Sequence, residues 1–423
     1  MNGFSFARTP ELFFGAQSIH RLGDALSGRD ATRILVVFSR SALSEQETRE
    51  GIVRLLEEAG IRADFVRYDR IPDDADPFQA PGGEYREASP EVVDAITGRF
   101  VDDPPDAVVA IGGGSAIDTG KAVSAAISEA RINGSASRDG FSIVAYLEGV
   151  GSERPSGEKL PFVAVPTTAG TGSEATKNAV LSRIGPHGFK KSLRHERFVP
   201  DVAVIDPLLH LTCSRESTAA GGMDAITQLL EAYVSTGSSP LTDALALEGL
   251  QVAGRSFVRA VERGASDVDA RSGMAYAAYL SGICLANAGL GIVHGLAGTA
   301  GALTGVPHGV FCGSLLPLAV ERTIDALAGT PDAVTALGKY AAAGRALTGM
   351  VGGTLEERIT ALTGRLREYA RVASFPGLES YGVDESPADQ IGVRGDNKRN
   401  PYAFPADERA ALVRGCLRRS SYA

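Results

Sequence analysis

Four residues of the C-terminal half have side chains and spacings suited to holding a cation. Asp224 and Gln228, in GGMDAITQLLEA, stand four apart in a helical stretch and so share one face. Asp224 has apolar neighbours, and a carboxylate buried there is costly unless a cation or a hydrogen-bonding partner offsets it. His294 (VHGLAG) and His308 (VPHGVF) are two of only six histidines, each beside a glycine that leaves room for a ligand. One carboxylate and two imidazoles make a three-point site for a divalent metal, zinc or iron(II), with coordination positions left open. Spacing does not prove that the three converge; the competing reading is a buried Asp satisfied by hydrogen bonds alone.

A second group is suited to an anion. The apolar run DAVVAI leads into Gly112, Gly113 and Gly114, then Ser115, Asp118 and Lys121. Glycines between a strand and a helix let the backbone approach a pyrophosphate, which the helix N-terminus then holds. The stretch is not a G-x-G-x-x-G fingerprint, and no acidic residue follows at the usual place. It also misses a P-loop by one residue, with Ala122 where a magnesium-binding hydroxyl would stand. PTTAGTGSEAT (166–176) is a further loop after a strand, with Thr167, Thr168 and Thr171 beside Gly170 and Gly172. Its hydroxyls can wrap a nucleotide or merely form a turn capping a helix at Ser173. Two such loops favour a bound dinucleotide over two ligand-free connections.

Strands and helices must alternate to place these loops. Buried-strand runs are expected at 33–39, 63–69, 106–114, after Lys159 and at 201–207, with a helix over 45–60. Residues 70–92 are polar and rich in Pro and Gly and read as a surface loop; 178–193 reads as a hairpin turning at GPHG. Beyond Pro207 the spacing is helical. The predicted fold is an α/β N-terminal dinucleotide-binding domain (1–206), a Rossmann-like parallel sheet, followed by an all-α C-terminal domain (207–423) that carries the metal and substrate positions. A chain of 423 residues has room for both.

The net charge of −9, without a long basic run, argues against a nucleic-acid partner. No apolar run reaches the ~18 residues of a membrane helix. The N-terminus lacks a charged region followed by an apolar core, so no signal peptide is expected. Cys213, Cys284, Cys312 and Cys416 are scattered without a C-x-x-C, which suits a reducing cytoplasm. Assembly is left open, a homodimer being compatible with the chain.

The stretches GGGSAIDTGKA, PTTAGTGSEAT, FVPDVAVIDP, GMDAITQLLEAYVS, NAGLGIVHGLAG and VPHGVFCG, in this order, resemble the iron-containing (group III) alcohol dehydrogenase family. FGAQSIHRLGDAL and NKRNPYAF extend the resemblance over essentially the whole chain. It implies the dehydroquinate-synthase-like two-domain fold with its site in the cleft. The reaction implied is hydride transfer between nicotinamide C4 and a small alcohol, aldehyde or ketone. Gly112, Gly113, Gly114 and Ser115 would hold the pyrophosphate, with Asp118 close by. Thr167, Thr168 and Thr171 would contact the nucleotide, and Lys190 the cofactor. Asp224, His294 and His308 match metal ligands. Two positions depart: Gln228 stands where the family carries a fourth-ligand His, and Gly298 where a further His is common. Gln can ligate through its amide oxygen but is a weaker, neutral donor.

NAD-preferring relatives tend to carry an Asp at the end of the second strand. Ser39-Arg40 stands there instead, a hydroxyl beside a guanidinium that would accept a 2′-phosphate. NADP(H) is therefore expected over NAD(H), unless Arg40 merely lies on the surface. Two other outcomes stay open on sequence grounds: a sugar-phosphate cyclase that recycles bound NAD, and a metal-free nucleotide-binding relative.

Overall fold

The computed structural model describes residues 3–73, 76–78, 83, 85–134, 140–330 and 333–418. Its N-terminal part is built on strands β1 (Glu11–Phe14), β2 (Arg33–Phe38), β3 (Arg62–Arg67), β4 (Ala107–Gly112), β5 (Phe162–Pro166), β6 (Asn178–Arg183), β7 (Phe189–Arg194) and β8 (Val202–Ile205). Among the described residues four α-helices lie between them: α1 (Arg21–Ser27), α2 (Gln46–Glu58), α3 (Pro90–Phe100) and α4 (Gly114–Ile132). Six strands form one sheet in the order β1-β8-β5-β4-β2-β3, every neighbouring pair parallel. Parallel strands are covered on both faces, which is why AVVAIG and FVAVP read as unbroken apolar runs.

Alternation along each strand divides the core between those faces. Leu35, Val37, Val108 and Ala110 pack with Val92, Ile96 and Ile127. Ile34, Val36, Val109 and Ile111 pack on the other side with Leu22 and Leu56. From β2 the chain moves out to β3, at one edge. It then returns to β4 and proceeds the opposite way through β5 and β8. The strand order therefore reverses between β2 and β4, and the carboxyl ends of these two strands flank the crevice where such sheets bind ligands. Ser39 and Gly112–Gly114 lie at those ends.

Two features differ from the expected pattern. The four-residue ELFF forms β1 by pairing with β8, a partner nearly two hundred residues away that no local pattern announces. The loop expected over 70–92 ends early: Pro90 opens α3, and the Ser89 side chain accepts from Val92 N at the cap. Residues 74–75, 79–82 and 84 of that loop lie outside the described residues. β6 and β7 form the expected antiparallel hairpin, with Asn178 opposite Arg194.

Beyond β8 the described residues hold helices only: α5 (Arg215–Val234), α6 (Pro240–Arg263), α7 (Val268–Ala288), α8 (Ile292–Thr304), α9 (His308–Leu327), α10 (Ala333–Thr348), α11 (Leu355–Ala373), α12 (Glu385–Arg394) and α13 (Ala406–Arg414). α5 runs through the middle, packed against α6, α7 and α9, and is buried on nearly every side after its first turn. Among the described residues no single helix is long and apolar enough to cross a membrane.

Candidate active site

Central α5 carries Asp224 and, two turns later on the same face, Glu231. Glu231 fixes the start of α8: its Oε1 accepts from Val293 N at 2.6 Å, and its Oε2 lies 2.7 Å from His294 Nδ1. That contact holds the Nδ1 proton toward Glu231 and leaves Nε2 as the ring atom facing inward, the one an imidazole so oriented offers a metal. Nε2 of His294 lies 3.2 Å from Asp224 Oδ1. Pro307 ends the preceding loop and α9 begins at His308, whose Nε2 lies 3.5 Å from the same oxygen. One turn along α9, Cys312 brings its Sγ to 3.9 Å from His294 Nε2 and 3.8 Å from His308 Nε2. The ligating atoms of Asp224, His294, His308 and Cys312 all lie within 4.8 Å of one another. A carboxylate oxygen, two imidazole nitrogens and a sulfur at such spacing fit a divalent ion of the zinc or iron(II) type.

Burial pushes the Asp224 carboxyl up, but His308 and His294 pull it below the ordinary value. Burial pulls the His294 imidazole down, yet Cys312, Glu231 and Asp224 together hold it well above its usual value. His308 is driven down to about 4 by burial, which outweighs the opposing pull of Asp224, with Lys190 and His294 adding to the lowering.

Gln228 is beside the cluster in an unforeseen pose. Its Nε2 donates to Asp224 Oδ2 at 3.0 Å, and its Oε1 accepts from Ser281 Oγ on α7 at 2.7 Å. The oxygen a ligand needs faces Ser281, whose hydroxyl also reaches Ala278 O at 2.7 Å; what Gln228 turns to the carboxylate is a clamp. At Gly298, one turn beyond His294, an added Cβ would meet open space.

The glycine turn lies at the carboxyl end of β4, and α4 starts at Gly114 with no side chain capping it, which leaves first-turn N–H groups for an anion. Glycine is required here by close packing. A Cβ on Gly112 would come to 2.8 Å from Ser39 Oγ, and one on Gly114 to 2.6 Å from Thr171 Oγ1. Beside Gly113 the neighbour is Thr168, whose Oγ1 would be 3.2 Å away. Thr167 N donates to Gly112 O at 2.9 Å, so the Thr-rich loop is laced directly onto the turn. The same loop packs on the helical part. A Cβ on Gly170 would lie 2.8 Å from Gly221 Cα, and one on Gly172 would lie 2.5 Å from Gly282 Cα. Gly221 precedes Asp224 by one turn, and Gly282 follows the Ser281 that holds Gln228. Through the Thr loop, the glycine turn and the donor cluster are thus joined by backbone contact.

Asp118 spends both oxygens within the protein, accepting from Ser173 Oγ and, at 3.1 Å, from Val180 N. It braces α4 against the Thr loop and the hairpin. Lys121, fully buried, donates to the carbonyls of Ser173, Thr176 and Asn178 at 2.7 to 2.9 Å. Lys190 on β7 pairs with Glu87 at 2.7 Å, and its stem runs beside Gly301 of α8. Ser39 is buried, Ser115 half-buried and Arg40 exposed at the rim. The residues that the sequence reading passed over carried a readable signal. Glu231 is seven positions from Asp224 on one helix face, and Cys312 is four from His308.

Residues 9–207 match the family profile described as iron-containing alcohol dehydrogenase, and 218–414 match the C-terminal profile of the same family. The chain is 33% identical over 334 residues to alcohol dehydrogenase 4 of Saccharomyces cerevisiae (strain YJM789), covering 78% of each. It is 33% identical over 313 residues to the NAD-dependent methanol dehydrogenase of Bacillus methanolicus, covering 74% of this chain and 73% of the relative. The fold superposes on the crystal structure of a 1,3-propanediol oxidoreductase with a TM-score of 0.81 at 28% identity, over 98% of this chain and 99% of that one. The donor cluster, the glycine cradle and these matches across both halves agree: the chain belongs to the iron-containing alcohol dehydrogenase family.

Proposed function

We propose that this alcohol dehydrogenase transfers hydride between C4 of a nicotinamide and a small alcohol, aldehyde or ketone, with a divalent ion held by Asp224, His294 and His308. The observation that supports it best is the meeting of those three donor atoms beside the Thr loop that touches the glycine turn. When bound, the ion supplies Lewis-acid stabilisation of the substrate oxygen, and the nicotinamide gives or takes the hydride. The protein supplies position. Amides from Gly112 to Ser115 and the open end of α4 orient the pyrophosphate. Thr167, Thr168 and Thr171 line the nucleotide, and Lys190 contacts it from β7. Glu231 and Gln228 hold His294 and Asp224 in place. The space beside Gly298 receives the substrate's carbon chain. Cofactor and metal reside in two units, 1–206 and 207–423.

NADP(H) is the favoured dinucleotide. Ser39 and Arg40 close the carboxyl end of β2 next to Gly112, with no carboxylate at that position to repel a 2′-phosphate. A cytoplasmic location accords with four free cysteines. The test is Asp224→Ala and His294→Ala, assayed with added zinc or iron(II). Each is expected to cut turnover by at least about 1,000-fold, the loss of several kcal/mol of oxyanion stabilisation. Nucleotide binding, read by fluorescence, is expected to persist. Full turnover by either variant contradicts the reading.

A further inference from the structure

We infer that Cys312 is the fourth protein ligand of the metal, so that the ion is held by Asp224, His294, His308 and a thiolate. The inference rests on the three-residue site proposed above and adds to it. Geometry is the first support. A tetrahedral ion about 2.0–2.1 Å from nitrogen or oxygen and about 2.3 Å from sulfur requires N–S separations of about 3.6 Å and N–O separations of about 3.3 Å. The cluster has N–S separations of 3.9 and 3.8 Å and N–O separations of 3.2 and 3.5 Å. These four separations lie within a few tenths of an ångström of the tetrahedral values, and all donor atoms lie within 4.8 Å of one another.

The behaviour of the other buried thiols is the second support. Cys284 Sγ donates to Thr242 O at 3.6 Å, and Cys416 Sγ donates to Ser314 O at 3.3 Å. Each satisfies its weak donor on a main-chain carbonyl in the ordinary way. Cys312, fully buried, instead faces the inward nitrogens of both histidines. It sits one turn after His308, so α9 presents both donors on one face. The third support is the pose of Gln228, which turns its amide nitrogen rather than its oxygen toward Asp224. Gln228 has its amide oxygen held by Ser281 and spends its nitrogen on Asp224 Oδ2, which leaves Oδ1 for the ion.

On binding, the S–H bond breaks, the proton leaves to solvent, and sulfur donates an electron pair to the cation; no electron is transferred. A thiolate shifts the donor set toward zinc relative to a carboxylate-imidazole site alone. Expansion to five-coordination keeps a place for the substrate oxygen.

Cobalt(II) is the probe, titrated into the full-length protein after chelation and followed by absorbance. The native protein is expected to show visible d–d bands together with a thiolate-to-cobalt charge-transfer band in the near ultraviolet. Cys312→Ser is expected to lose the charge-transfer band while keeping d–d bands. Its zinc affinity should fall by more than the ~10–100-fold that loss of an outer-shell partner costs. Cys284→Ser and Gln228→Ala are expected to keep the band. Cobalt bound to native protein without charge transfer, or a band that survives Cys312→Ser, overturns the assignment of Cys312 alone. Absence of any cobalt spectrum in the native protein overturns the three-residue site, and the thiolate with it.

Discussion

Asp224 divides its two oxygens between different tasks: Oδ1 faces the histidines, while Oδ2 accepts from Gln228. A buried carboxylate with one oxygen fixed has little freedom left, so the other is aimed before any ion arrives. Ser39 shows the same economy at the other end of the site. Its hydroxyl is packed against Gly112, where a Cβ added to the glycine would come to 2.8 Å from it. Replacing it by a carboxylate adds repulsion toward a 2′-phosphate. Ser39→Asp is expected to raise the KM for NADPH by about 10-fold or more, since a charge-assisted contact is worth about 1.5–3 kcal/mol. The KM for NADH should fall or stay level. Equal effects on both cofactors, measured side by side, would show that this position does not read the phosphate. Residue chemistry was legible in part: Asp224, His294 and His308 were readable as a possible three-point site, with a hydrogen-bonded buried Asp as the competing reading, and the fold brings their donor atoms together. What could not be read was direction. Asp118 is expected close to the cofactor, and the fold also gives it a bracing role, since its oxygens accept from residues 55 and 62 positions away. Only the folded chain brings those donors to it.

Among the elements, the Thr loop matters most, because it touches the glycine turn on one side and α5 and α7 on the other. Lys121 holds its far end by donating to three carbonyls; burial brings its ammonium down to about 8. His210 holds its near end, with Nε2 donating to Pro166 O at 2.9 Å and the ring fully buried. Burial lowers that imidazole to about 4. As pH falls below the ordinary value near 6.5, the unfolded chain takes up a proton that the folded chain refuses. His210 therefore contributes stability that is complete above about pH 6.5 and drains away between about 6.5 and 4, a loss of about 3 kcal/mol. His210→Gln, whose amide can still donate to Pro166, is expected to flatten this part of the stability–pH curve. Denaturant titrations at pH 4.5 and 7 check it; an unchanged slope in the variant assigns the effect elsewhere. Elements with strong periodicity or long apolar runs were legible, as β2, β4 and α5 show. β1 was not, because four residues carry too little pattern and their partner is remote. The start of α3 was missed because Ser89-Pro90 sits at the end of a Pro-rich stretch, where a cap looks like one more loop residue.

At the scale of the molecule, the glycine turn reaches the donor cluster because the sheet's Thr loop and the helices approach closely enough for backbone to touch backbone. Gly172 and Gly282 leave no room for a methyl group, and Gly170 meets Gly221 in the same way. A helix position normally gains from Gly→Ala, by up to about 1 kcal/mol. At Gly282 the sign reverses, because the added carbon would meet Gly172 O. Gly282→Ala is expected to lose about 2 kcal/mol or more of stability and to push the Thr loop off the helical part. kcat should drop by more than 10-fold while the zinc content stays whole. A variant as active and stable as the parent would show that the contact does not set the cleft. The two-part architecture was legible from the change of texture after Pro207; the glycine contacts that lock the parts together involve pairs far apart in the chain and were not.

The most direct measurement of the account is anomalous diffraction at the metal edge from crystals grown with zinc and NADPH. A single peak is expected within coordinating distance of Asp224 Oδ1, His294 Nε2 and His308 Nε2, with the nicotinamide beside it and the pyrophosphate at Gly112–Gly114. A peak elsewhere, or a dinucleotide whose ring lies remote from those three side chains, contradicts it.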